Sequence, residues 1–186
     1  MEKVKIEVSA RHVHLSENDY SSLFASDEPK KEQHLSQDDW ATNKVIKIVG
    51  KKGELPARVL IPFRKKSQVE LSLSDCITIG VSAPYAISSE ETSSKVKIKG
   101  DAGEIEVSAL IVAKRHLHLS PCDAENLKIE NHEQVKVEIE TDRGKIIFEN
   151  VTAKIANHYT LAVHLDTDEG NAAGINKETV GNLTIS

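Results

Sequence analysis

Two copies of one hexapeptide constrain this chain more than any other feature: "RHVHLS" from Arg11 and "RHLHLS" from Arg115. Each follows a run that alternates apolar and polar residues, and each is followed by residues that suit a helix. The copies lie roughly one small domain apart, too far for a local motif. The chain therefore reads twice as strand, Arg-His-X-His-Leu-Ser, capped helix and β-hairpins. That is an internal duplication of architecture whose other residues have diverged.

The periodic segments alternate with period two and are rich in Val and Ile: "KVKIEV", "KVIKIVG", "ARVLI", "KVKIKG", "EIEVSALIVA", "QVKVEIE" and "KIIFENVTAKI". The turns "GKKGE", "GDAGE" and "TDRGK" place glycine between such runs, as hairpins require. This spacing suits closed or partly closed barrels better than a parallel α/β sheet, which needs long helices between strands. The expected fold is mainly β, with two small β-barrels and short capping α-helices. Helices are predicted after each hexapeptide, with Ser16 and Ser120 as N-caps and Pro121 at the first helical position. A third is predicted over "SQDDWATN", capped by Ser36. The stretch "SAPYAISSEETSSKV" reads as a loop within the first half.

Composition narrows the function. With 186 residues the chain can bury a real core. Aromatics make up 4% and the net charge is −5, which argues against base stacking and gives no electrostatic footprint for nucleic acid. No apolar run is long enough to span a membrane, and "MEKVKIEV" has no signal-peptide pattern, so a cytoplasmic protein without membrane partners is expected. Cys76 and Cys122 read as two free thiols in a reducing compartment. An anionic substrate must then be gathered by a local cluster of positive charge or by a metal.

In a strand, residues i and i+2 share a face, so His12 projects with His14, and His116 with His118. Two imidazoles on one face are half of a tetrahedral zinc site. The duplication suggests that each copy brings half of a two-metal site to a shared cleft. "LAVHLDTDEGNAAG" supplies His164 at a strand end, followed by Asp166, Asp168 and Glu169, carboxylates of a kind that orient metal-bound imidazoles. "FRKKSQVELS" offers Arg64, suited to bidentate capture of phosphate, and Glu70, which could complete a metal site. His34, His132 and His158 lie in polar segments and read as ordinary surface residues.

The stretches "SARHVHLS", "LSQ", "RVLIPFRKKSQVELS", "AKRHLHLSPCDA" and "HLDTDEGNAAG" resemble, in order, the blocks of the PduL-type phosphotransacylases, also called phosphate propanoyltransferases. The resemblance spans Ser9 to Gly174. It implies interconversion of acyl-CoA plus phosphate with acyl phosphate plus CoA, on two β-barrels carrying two zinc ions. It implies that His12, His14 and Glu70 hold one zinc and that His116, His118 and His164 hold the other. Arg64 takes the phosphate-binding arginine position, and Ser9, Arg58, Leu60 and Asn171 fall where relatives contact CoA. It further implies a discontinuous barrel of residues 1–10 plus 114–186 around a second barrel of residues 11–113. A homo-oligomer is compatible with it. Relatives that enter bacterial microcompartments carry an amphipathic N-terminal extension. This chain begins a few residues before its first strand and reads as a cytosolic member or one trimmed at that end.

The chain departs from the family pattern at Ile61, where glycine is usual before proline, at Asp38 and Asp39 in "LSQDDW", and at Gly170 in "DEGNAA". These bear on acyl preference, CoA affinity and rate, and none removes a proposed metal donor. Two other readings compete. A cupin-like hydrolase or oxygenase would also use His-X-His with a following Glu. Glu17 follows the first pair, but Pro121 stands at the equivalent place in the second. A non-catalytic, zinc-stabilised relative would keep its metal without turnover.

Overall fold

In the computed structural model, residues 2–35, 38–87 and 93–184 are described. They form β1 (Glu2–Ser9), β2 (His12–His14), α1 (Glu17–Phe24), β3 (Lys31–His34), β4 (Trp40–Val49), β5 (Glu54–Ile61) and β6 (Gln68–Leu71). Next come α2 (Leu73–Ile79), β7 (Tyr85–Ala86), β8 (Val96–Lys99), β9 (Glu104–Val107), β10 (Leu110–Ala113) and β11 (His116–Leu119). The chain ends with α3 (Pro121–Leu127), β12 (Gln134–Thr141), β13 (Gly144–Ile155), β14 (Ala162–Asp166), α4 (Thr167–Ala173) and β15 (Val180–Thr184). Among the described residues no helix is long and apolar enough to cross a membrane.

The chain divides into two compact units, Met1–Ser9 with Lys114–Ser186, and Ala10–Ala113. The first, the composite barrel, closes six strands in the order β1-β14-β11-β13-β12-β15, with β15 returning to β1. The second, the inserted sheet, runs β7-β10-β6-β2-β5-β4-β8-β9, with β3 on β4. It curls into a half-barrel, the partly closed form of the two barrels that the sequence reading expected. Each unit buries its own core. Val13, Leu15, Ile46, Val59 and Leu110 belong to the inserted sheet's, and Ile6, Leu117, Leu119, Val137 and Val163 to the composite barrel's. Burying an aliphatic side chain of this size contributes about 1.5–3 kcal/mol.

The duplication extends to topology. β2 pairs in parallel with β5 and antiparallel with β6, and β6 pairs in parallel with β10. β11 pairs in parallel with β13 and antiparallel with β14, and β14 pairs in parallel with β1. Thus β2, β5, β6 and β10 have counterparts in β11, β13, β14 and β1. The same four-strand plan carries both hexapeptides.

The predicted hairpins join β4 to β5, β8 to β9, and β12 to β13. In the first two, the amide of the leading glycine bonds the carbonyl of the second, Gly50 to Gly53 and Gly100 to Gly103, each at 2.9 Å. Ser16 and Ser120 cap α1 and α3, and Pro121 opens α3. The helix expected over "SQDDWATN" is corrected. Trp40 to Asn43 begin β4, where strand pairing with β3 and β5 outweighs the local helix signals. Its proposed cap, Ser36, lies outside the described residues, as do residues 88–92 of the polar loop.

Candidate metal centres

Alternation splits the hexapeptides between two faces. Val13 and Leu15, and Leu117 and Leu119, are fully buried in their units' cores, so the paired histidines share the opposite face. Across the ladder His12 stands opposite Glu70, and His116 stands opposite His164. The third member of each cluster therefore comes from the same place in the shared plan. The donor atoms of His12, His14 and Glu70 lie within 4.8 Å of one another, and so do those of His116, His118 and His164.

The arginine that opens each hexapeptide has a matching task. Glu70 and His164 each stand two residues before a helix cap, Ser72 or Asp166, and both helices carry a capping box with Asp75 or Glu169 at N3. Arg11 reaches Asp75 Oδ1 with Nε at 3.0 Å and Nη2 at 2.9 Å. Arg115 Nε lies 2.7 Å from Glu169 Oε1, and its Nη1 donates to Glu149 O at 3.1 Å. Each arginine thus ties the entry of the His-X-His strand to the exit of the strand that carries the third donor. The acidic turn after His164 is a helix start. Asp166 and Glu169 bond each other's backbone amides, and Glu169 also pairs with Arg115, whereas the sequence reading gave these carboxylates an imidazole-orienting role.

In the inserted sheet the electrostatics centre on Glu70. Its Oε1 lies 3.5 Å from His12 Nε2 and accepts a hydrogen bond from Gln68 Nε2. Burial disfavours the Glu70 carboxylate, but the charge and hydrogen bond of His12, with His14 and Arg64, outweigh it and hold its pKa well below the ordinary value. Burial likewise opposes the charged form of His12, and Glu70 with the Ala10 carbonyl overcomes it, so His12 is raised. His14, 2% exposed, is lowered well below its ordinary value by burial and then by His12 and Arg64. Arg64 Nη2 donates to His14 Nε2 at 2.8 Å.

The composite barrel's centre is wholly imidazole at its core. His116 and His164 stack at 5.2 Å with an interplanar angle of 9°, and Tyr159 lies over His118 at 3.8 Å and 19°. His118 is driven far below its ordinary value, first by burial, then by His164, His116 and Lys154.

Both clusters suit a divalent cation. The Ala10 and Lys114 carbonyls can only accept, so at 2.8 Å they fix the proton on Nδ1 of His12 and of His116, leaving each Nε2 lone pair for a ligand. With Arg64 donating to Nε2 of His14, its ring proton falls on Nδ1, a buried atom with no hydrogen-bond partner among the described residues. Such a group costs about 1–3 kcal/mol, and a cation bound at Nδ1, with the ring proton moved to Nε2 and Arg64 no longer donating there, would satisfy it. Three nitrogens, or two nitrogens and a carboxylate, form the donor set of zinc.

The remaining predicted positions are placed as follows. Arg58 and Leu60 sit on β5, in register with His12 and His14. Arg58 pairs with Glu32 at 2.9 Å, and Leu60 is buried. Ser9 ends β1, its carbonyl accepting from Thr167 Oγ1 at 3.3 Å, and Asn171 is exposed on α4. Gly170 has a packing reason, since a Cβ there would meet Val8 Cγ2 at 2.6 Å. Nothing in the structure explains the departure at Ile61. Cys76 and Cys122 are free thiols. His34, His132 and His158 are exposed and outside both clusters, although His34 lies 4.8 Å from the Trp40 ring and His158 lies 4.5 Å from Tyr159. Sequence reasoning missed Tyr159, for which it holds no signal, and gave no role to Gln68, which the two-residue spacing to Glu70 could have indicated.

Comparison with known proteins adds an independent line. A family model described as phosphate propanoyltransferase matches residues 5–176. A phosphate propanoyltransferase of Shewanella putrefaciens is 41% identical, covering 93% of this chain and 84% of its own. One from Escherichia fergusonii is 37% identical over 95% of this chain and 86% of its own, and one from Limosilactobacillus reuteri is 36% identical over 98% and 88%.

Proposed function

This chain belongs to the phosphate propanoyltransferase family, and from that membership we propose that it moves a short acyl group between CoA and phosphate, with one zinc ion on each histidine cluster and both needed for one turnover. The family makes it a phosphate acyltransferase. The observation that carries the finer reading is the pair of matched clusters, each with three donors inside 4.8 Å and each braced by its own arginine.

Zinc on such donors supplies Lewis acidity and lowers the pKa of a thiol, which in the free state stays largely protonated near 8.5. The chain's own groups do the rest. Arg64 is exposed in the loop between β5 and β6, and its guanidinium lies at the Glu70 cluster, where it can hold a phosphate through paired N–H bonds and offset its charge. Its place is fixed by its own amide, which donates to Leu15 O at 2.9 Å. Ser67, directly before β6, bonds Asp19 and accepts from the Ser16 amide at 2.9 Å, anchoring the "RKKS" loop to α1. Gln68 restrains the Glu70 carboxylate. We assign CoA contacts to Ser9, Arg58, Leu60 and Asn171. Among the described residues the donors of both clusters are imidazoles and a carboxylate, and the reading is direct passage of the acyl group from thiol to phosphate.

The test is thiol release from propanoyl-CoA and acetyl-CoA. Release that depends on added phosphate supports the reading. Release of equal rate without phosphate would make the protein a hydrolase and contradict it.

A further inference from the structure

The geometry points to Glu7 as a fourth protein donor to the His116, His118 and His164 centre. This rests on the reading that the centre holds a metal, and it changes what that centre offers to a thiol.

β1 runs parallel to β14 with Glu7 in register with His164, and β14 runs antiparallel to β11 with His164 opposite His116. Glu7, His164 and His116 therefore form one row on one face of three adjacent strands. Glu7 meets the cluster at His164, its Oε2 3.4 Å from His164 Nε2, and stands outside the three donors that lie within 4.8 Å of one another, so it would swing inward to bind. Two donors bound at about 2.0–2.1 Å to one tetrahedral cation stand roughly 3.4 Å apart, so this is a separation that a shared ion would set. The other centre repeats it, with His12 Nε2 3.5 Å from Glu70 Oε1. The two carboxylates are also matched in shelter, their side chains 18% exposed for Glu7 and 16% for Glu70. Lys5 Nζ binds the remaining oxygen, Oε1, at 2.6 Å and so turns Oε2 toward the histidines.

The duplicated plan shows why a carboxylate belongs there. In the inserted sheet the equivalent row is Ile111, Glu70 and His12. The carboxylate is on the middle strand and an apolar residue flanks it. In the composite barrel the middle strand carries His164 and the flank carries Glu7. Each centre would then hold one carboxylate beside a basic side chain, Lys5 at Glu7 and Arg64 at the Glu70 cluster. With Glu7 bound the composite barrel's centre would have four protein donors, and an incoming thiol would take the carboxylate's place as a thiolate, its proton passing to the released Glu7. At zinc the soft thiolate would be preferred to the carboxylate.

Cobalt(II) titration of metal-stripped protein tests this, with His12→Ala as background so that only the composite barrel's centre is read. Glu7→Gln should weaken cobalt binding by about 10–100-fold and shift the visible ligand-field band. It should also let 2-mercaptoethanol bind the cobalt-loaded protein more tightly, because the competing carboxylate is gone. Glu7→Asp, which keeps the charge, should recover part of the affinity and confirm that the site still folds. An unchanged band and affinity in Glu7→Gln would overturn the assignment. So would a weakened affinity with an unchanged band, which would make Glu7 an orienting neighbour of His164 rather than a donor. If the His12→Ala protein with Glu7 intact takes up no cobalt, the metal reading of this centre fails as well, and that result is seen before any Glu7 substitution is made.

Discussion

The two histidine centres share a frame and differ in how they arrange charge. Both hang on an antiparallel strand pair, both brace that pair with an arginine on a helix-capping carboxylate, and both set the first histidine's tautomer with a carbonyl two residues before it. In the inserted sheet the third donor is an acid, so His12 and Glu70 hold each other charged and Arg64 joins them. In the composite barrel the third donor is a histidine, Tyr159 covers the site, and His118 is kept neutral by burial. A duplicated frame can thus be tuned by one side chain per copy toward a cluster of paired charges or a cluster of neutral imidazoles.

The largest effects break one centre and leave the other. Glu70→Gln and His164→Ala should each remove one of two zinc equivalents by elemental analysis and lower phosphate-dependent CoA release by at least about 100-fold. Loss of metal without loss of rate would separate the centres from the reaction. Arg64→Ala belongs to one centre only, and it should raise the KM for phosphate about 10–100-fold, the size of a lost charge-assisted hydrogen bond, with a much smaller change for CoA. Unchanged phosphate saturation would remove Arg64 from that role.

The braces sharpen the comparison further. Arg11→Gln should weaken metal binding in the inserted sheet alone and Arg115→Gln in the composite barrel alone, each by about 10-fold, with Arg→Lys restoring part of it. Equal losses at both centres would mean a general effect on folding instead of a local brace.

Acid response gives the smallest contrast, read in metal-free protein. His12 has a raised pKa, so its contribution to stability is fully present below 6.5 and fades as pH rises through the folded value. His118 has a lowered pKa, so the unfolded chain takes up a proton that the folded one refuses, and stability is lost as pH falls below 6.5. Imidazole NMR titration should show His12 protonating first and His118 still neutral in mild acid. The reverse order would contradict the assignment of burial and charge.

What was legible in the sequence was local. The i,i+2 histidines, the Ser16 and Ser120 caps and the glycine hairpins each act within a few residues, and the structure bears them out. The helices α2 and α4 were missed because seven residues carry too little periodicity, and their caps in "LSLSDC" and "HLDTDEG" look like a strand end and an acidic turn. Trp40 was misassigned because its strand is held by β3 and β5, partners that no local pattern reveals. The arginine braces join Arg11 to Asp75 and Arg115 to Glu169, and Glu7 meets His164 from the far end of the chain. Such contacts follow from strand order, and strand order is set by the whole fold.

Zinc titration of the metal-stripped protein, with phosphate-dependent CoA release followed at each addition, tests the central claim most directly. The account predicts little activity through the first equivalent and full activity on binding the second. Full activity without metal, or after one equivalent, would contradict it.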